Sequence, residues 1–282
     1  MNKNYIFGLA LMVCGVMWMS SADALRLTIK RIVFEGSKRA EVITVINNST
    51  KEETYRVGWR NFIMTEEKGL KFIPDDQPMP PQIKPVTDMI RYAPRRFTVP
   101  AKSSQQIRIM LRTPADLADG EYRSHLWIRP EADVEKIRSE SKGADAKTSK
   151  SKGVFLEMLA GATMPIIVRK GNLGAEVSIL NLEASRSPGF VDVGYALRRV
   201  GEKSVYGNID YICNRGNASE YNLKAARGIA VYPEINQRIF KFRIEIEQGQ
   251  ASCSTMTVTF KDSPDVLIGG GAVMAEASVA VR

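Results

Sequence analysis

The sequence predicts an all-β protein made of two β-sandwich domains, and three observations carry that expectation. From residue 25 onward, short runs alternate apolar with polar residues, as half-buried strands do, and no run holds a clear helical period. Clusters such as Glu35-Gly36-Ser37, Asn47-Asn48-Ser49 and Asp119-Gly120 break the runs with turn chemistry. A similar number of runs falls on either side of a short linker at residues 170–174, in a chain long enough for two domains of ordinary size.

Residues 1–24 are set apart from the fold. Lys3 gives a positive start, residues 5–19 are uncharged and mostly apolar, and Ala22-Asp23-Ala24 offers a small-x-small cleavage site. The apolar run is short for a membrane span, so it reads as a signal peptide cut after Ala24. Met12 and Val13 fit poorly before a lipidated cysteine at Cys14. No later apolar run is long enough to cross a bilayer, so an exported protein without a membrane anchor is expected.

Within residues 25–170, residues 25–34 form an alternating run in which Leu27, Ile29, Arg31 and Val33 share a face. Arg31 interrupts that apolar row. A charge buried dry costs several kcal/mol, so Arg31 is expected to open on a cleft, meet an anion, or find an internal acid. Residues 42–46 read as a buried strand, and Tyr55, Val57 and Trp59 alternate with Arg56, Gly58 and Arg60 in a third. Six of the 13 prolines lie between residues 74 and 94, which makes that segment an irregular crossing. Ile107, Ile109 and Leu111, then Tyr122, Ser124, Leu126 and Ile128, mark two further faces. Strands this short and this regularly punctuated predict an immunoglobulin-like sandwich.

Residues 131–153 are rich in charge, Ser, Gly and Ala and carry Val134 and Ile137 as their only larger aliphatic residues, the composition of a mobile loop. They lead into residues 154–169, VFLEMLAGATMPIIVR. Every second residue there is apolar: Val154, Leu156, Met158, Ala160, Ala162, Met164, Ile166 and Val168. Periodicity alone favours an ordinary buried strand. Its length and the loop before it suggest another arrangement, in which the first half is a sheet edge lent to another protein and the second half completes its own domain. Residues 171–282 then supply a second set of strand-like runs.

Composition narrows the chemistry. The net charge of +9 would suggest nucleic acid in a cytoplasmic protein, but export points instead to an acidic protein partner or a solvated surface. His125, the single histidine, excludes a multi-histidine metal site and sits in a strand-like run, where a surface position is expected. Gly269-Gly270-Gly271 lacks the Lys-Ser/Thr of a phosphate loop. Nothing argues for an enzyme or a cofactor. Cys213 and Cys253 are expected to bridge in an oxidising compartment, with two free thiols as the alternative. Closing about forty residues would contribute about 3–4 kcal/mol.

Three stretches, KRIVFEGSKRAEVITVIN, YAPRRFTVPAKSSQQIRIMLRTPADLADGEYRSHLWIRP and ATMPIIVRKGNL, resemble the PapD-like periplasmic chaperones of the chaperone–usher pathway. The likeness covers the first domain almost end to end; RVGEKSVYGNIDY and ARGIAVYPEIN carry a looser one in the second. It implies two immunoglobulin-like domains set in an L with a cleft between them. It also implies a chaperone that lends its seventh strand to an incomplete pilus or fimbrial subunit until an outer-membrane usher takes over. On that reading Val154, Leu156, Met158 and Ala160 are the donated side chains. Arg31 is one of two cleft residues that anchor the subunit's terminal carboxylate, and Arg169 holds the domain junction. The second anchor, a lysine in better-known members, falls on Pro165; Arg123 is the expected replacement and Arg91 a weaker one. The implied partners are pilus subunits and an usher in the periplasm, with self-capping of free molecules through their edges as a further expectation. The alternatives from other classes are a secreted two-domain adhesin or structural protein, and a periplasmic hydrolase dependent on His125.

Overall fold

The computed structural model of the chain describes residues 25–131, 161–214, 221–246, 253–263 and 271–282. The expected signal peptide, nearly all of the charged loop, and Val154, Leu156, Met158 and Ala160 lie outside the described residues. Among the described residues every regular element is a β-strand.

Ten strands build the first unit: β1 (Leu25–Leu27), β2 (Ile32–Phe34), β3 (Ala40–Asn47), β4 (Glu53–Thr65), β5 (Gly69–Ile73), β6 (Ile90–Ala93), β7 (Arg96–Val99), β8 (Ser104–Leu111), β9 (Gly120–Pro130) and β10 (Ala162–Lys170). One sheet runs β1-β3-β8-β6. The other runs β2-β10-β9-β4-β5, with β7 also on β4. This two-sheet order is immunoglobulin-like. The core between the sheets holds Phe34, Ile43, Val45, Tyr55, Ile107, Ile109, Leu126, Ile128, Met164 and Ile166, each no more than 1% exposed.

Several local expectations change on contact with the tertiary structure. Residues 25–34 do not form one strand. β1 pairs with β3 in one sheet, the chain crosses over, and β2 joins β10 in the other, in parallel register Ile32↔Ile166. The crossing shifts the alternation by one residue. Ile32 and Phe34 enter the core, while Arg31 and Val33 fall on the opposite face. Residues 42–46 are half-buried rather than fully buried: Ile43 and Val45 face the core, and Val42 is 42% exposed. The proline-rich crossing still contributes to packing through buried Val86 and Met89. Its Val86 amide donates to Ser124 Oγ at 3.1 Å.

Seven strands build the second unit: β11 (Ala175–Ser187), β12 (Phe190–Gly201), β13 (Val205–Asn214), β14 (Tyr221–Val231), β15 (Gln237–Glu245), β16 (Thr255–Asp262) and β17 (Val273–Ala280). Their sheets run β11-β12-β15 and β14-β13-β16-β17. Cys213 and Cys253 are bonded to each other inside this core, and both are fully buried.

Candidate functional site

An antiparallel sheet with one face on its core usually shows the other to water. In the β2-β10-β9-β4-β5 sheet, that other face is partly covered by the second unit. Met64 on β4 and Ile167 on β10 pack with Ala230 and Tyr232, and Val33, Tyr206 and Ile235 border them. The period-two rule selects which side chains reach this face: Glu121, Arg123, His125, Trp127 and Arg129 from β9, and Thr163, Pro165, Ile167 and Arg169 from β10.

Two buried ionic groups tie the units together. The Arg123 guanidinium donates to Glu234 Oε1 at 2.6 Å and to Oε2 at 3.1 Å, and lies 3.6 Å above the Tyr232 ring. The two charged side chains are 5% and 3% exposed, so neither charge is compensated by water. Glu234 also accepts the Met64 amide at 2.9 Å. Arg199 shapes the turn that carries Glu234 by donating to the carbonyls of Pro233 and Ile235. The second group centres on Glu121. Its Oε2 accepts from Arg169 Nε at 2.9 Å and from the amide and hydroxyl of Ser204. Arg169 also reaches Glu35 and the Ser204 carbonyl.

A hairpin adds a third tie. β4 runs on past Arg60 to Thr65 and turns into β5, and the turn docks on the second unit. The Ile239 amide of β15 donates to the Glu66 carbonyl at 2.8 Å, and Gln237 Nε2 to Glu66 Oε2 at 3.2 Å. Gly69 closes the turn at φ +70°, and a Cβ there would meet Arg238 at 3.1 Å. The alternation expected from sequence ends at Arg60, short of the strand's end at Thr65. The turn signal beyond it is Glu66-Glu67-Lys68-Gly69.

The sequence-derived residues divide between two settings. Arg31 lies at the junction: its guanidinium sits 3.8 Å from the Tyr206 ring centroid, and Nη2 donates to the Ser263 carbonyl at 3.4 Å. Arg169 also lies at the junction, and its acidic partners are Glu121 and Glu35. Arg123, expected as the second carboxylate anchor, is not open to a ligand. Glu234 already compensates its charge, and displacing Glu234 would leave that acid buried without its cation. Arg91 is on β6 in the opposite sheet, where it donates to the Asp88 carbonyl. His125 is not a surface residue. It is 2% exposed, with Phe62 at 4.9 Å and Tyr232 at 6.3 Å between ring centroids. Burial, with Arg123 nearby, pushes its pKa down to about 3, so it is neutral.

The described half of the long alternating segment behaves as a domain-completing strand. Met164, Ile166 and Val168 enter the first core, and β9 pairs with β10 along Ala162–Lys170. The register runs through Pro165 without a shift, in contrast to the bend or unpaired stretch the proline suggested. On the opposite flank β2 contacts only Ile166, Ile167 and Val168. Ala162 to Pro165 therefore have a ladder partner on one side only among the described residues, a position that tolerates proline. Among the described residues no strand pairs there, because the chain preceding Ile32 turns to the other sheet, with Thr28 N bonded to Thr44 O.

No family model matches this chain, and no curated protein matches it. Several solved structures of similar fold are chaperones. The CupB2 chaperone of Pseudomonas aeruginosa is 13% identical over 91% of this chain and 100% of its own, with a TM-score of 0.43. The CsuC–CsuE chaperone–tip adhesion subunit pre-assembly complex of Acinetobacter baumannii gives 11% identity over 91% of this chain and 97% of the other, also at 0.43. The E. coli chaperone DraB is 14% identical over 90% of this chain and 97% of its own, at 0.40.

Proposed function

We propose that this chain is a periplasmic chaperone that caps pilus or fimbrial subunits by lending them a strand and hands them to an outer-membrane usher. The observation that carries the reading is the one-sided strand β10. Its apolar row, Met164, Ile166 and Val168, fills its own core, and the same row continues in sequence through Ala160, Met158, Leu156 and Val154. Among the described residues, the flank that β2 leaves without a ladder lies at the N-terminal end of β10, Ala162 to Pro165. An apolar strand with an open edge is an aggregation hazard unless a partner pairs with it. An incomplete sandwich supplies that partner: the backbone ladder binds it and the alternate side chains fill its groove. Burying three sizeable side chains this way contributes about 1.5–3 kcal/mol each before ordering costs.

Arg31 is the carboxylate anchor in this reading. Its place at the junction brings Tyr206 of the second unit against its guanidinium, so a bound terminus would meet both units. The test is co-expression with a pilus subunit that the wild-type chain protects in the periplasm. Changing Leu156 and Met158 together to Glu is expected to abolish protection while the chaperone's own melting temperature holds. Arg31→Ala is expected to weaken capture by about 10- to 100-fold, the worth of a charge-assisted hydrogen bond. Undegraded subunit with the double Glu variant would end the reading.

A further inference from the structure

We propose that Arg60 is a second anion-binding residue on the partner-docking face, taking an acidic side chain of the same protein partner whose terminus Arg31 holds. The inference rests on the chaperone reading and adds to it a place and a chemistry.

The register sets the location. Arg60 pairs with His125, and His125 with Pro165. Arg31 immediately precedes Ile32, whose ladder partner Ile166 follows Pro165. Arg60, His125 and Pro165 thus form one row across β4, β9 and β10, with Arg60 at one end and Arg31, just before β2, beyond the other. Proline has no N–H, and the histidine is neutral and buried, so the middle of the row holds no charge for an anion. Two strand spacings, roughly 10 Å, separate Arg60 from Pro165, and Arg31 lies beyond. Arg31 is drawn to Tyr206, and Arg60 toward Trp127 in the next row, so one carboxylate does not serve both.

The surroundings of Arg60 are those of a prepared site. Its guanidinium stacks 3.8 Å from the Trp127 ring centroid, and the Phe72 ring lies at 5.4 Å. Aromatic faces hold the planar fork in place without using its N–H groups, which leaves them to receive a carboxylate. The counter-ion is Asp75, 3.2 Å away and 71% exposed on the segment after β5. Such a surface pair is weak and exchangeable. Beside Trp127, at its ladder partner Gly58, a Cβ would meet nothing within 4 Å among the described residues. Phe72 is 43% exposed and forms an apolar rim. The neighbouring arginines differ. Arg123 and Arg169 are taken by buried acids, and Arg56 and Arg96 share Glu131. Arg129 lies over the same Trp127 ring at 4.9 Å, so a second cation adjoins the site. A carboxylate flanked by an apolar residue, on a polypeptide, matches this combination of stacked cations and one exposed ring.

The experiment uses the full chain and the same co-expressed subunit, with capture measured over a range of salt concentrations. Arg60→Ala is expected to lower capture about tenfold and flatten its salt dependence, Arg60→Lys to recover part of the loss, and Asp75→Asn to strengthen capture by removing the competing acid. Wild-type capture by Arg60→Ala, while Arg31→Ala and the Leu156/Met158 variant fail, overturns the role of Arg60 and leaves the chaperone reading standing. Wild-type capture by all of them overturns both. If Arg60→Ala does not fold, Asp75→Asn decides, and unchanged capture there overturns the proposal.

Discussion

Arg123 and Arg60 stand on the same sheet face, on the adjacent strands β9 and β4, and both lie over an aromatic ring. One is sealed beneath the second unit against Glu234; the other is paired at the surface with Asp75. Identical side chains on one sheet thus do opposite work. Burial turns Arg123 into a structural rivet, since its charge can be tolerated only with its acid. The exposure of Asp75, on a guanidinium that is itself 26% exposed, leaves Arg60 able to exchange its acid for another. The boundary between the two is the edge of the interdomain contact, marked by Phe62 and His125.

Removing each counter-ion in turn gives the widest contrast. Glu234→Ala is expected to cost about 3–5 kcal/mol, read as a lower urea midpoint, because it strands a buried guanidinium. A small loss there would mean that water reaches Arg123 and that the two arginines do not differ in kind. Arg169→Ala leaves Glu121, whose side chain is 1% exposed, with Ser204 as its remaining hydrogen-bond partner among the described residues. It is expected to cost about 2–3 kcal/mol and to broaden the interdomain angle seen by small-angle scattering.

The third effect is a pH dependence. His125 is neutral in the fold at about 3 and ordinary when unfolded, at about 6.5. The unfolded chain therefore binds the extra proton first as pH falls. The contribution is complete above pH 6.5 and is lost on going down toward 3, at about 1.4 kcal/mol per unit. By pH 5 the wild type is expected to lose about 2 kcal/mol more than His125→Gln, compared by urea unfolding at pH 7.5 and 5. Parallel curves would mean that the histidine is hydrated. The smallest effect closes the comparison: Asp75→Asn is expected to change stability by less than about 0.5 kcal/mol, as for an exposed pair. A larger loss would make Arg60 a second rivet.

The alternation of side chains made much of the fold readable before any coordinates, because a strand's pattern is local. Rows such as Ile107, Ile109 and Leu111 appear in the core as read, and the turn clusters fall between strands. The strand of residues 25–34 misled because a sheet switch leaves no mark in a period-two pattern except a one-residue slip. The hairpin turn at Glu66 is hard to read for a similar reason: it meets β15, far away in sequence. Arg31 stood out as a charge in an apolar row. Arg123 is legible by type and position, but its partner Glu234 is 111 residues away in sequence and leaves no local mark.

Two sandwiches, their strands, and the apolar ribbon that ends in β10 follow from residue order alone, since apolar side chains spaced by two can be buried on only one face. The fate of each charge follows from assembly. Whether an arginine becomes a fastener or a handle depends on which distant acid the packing of two units delivers to it, and on whether water is shut out when it arrives. That is a property of the contact between units, and no stretch of sequence contains it.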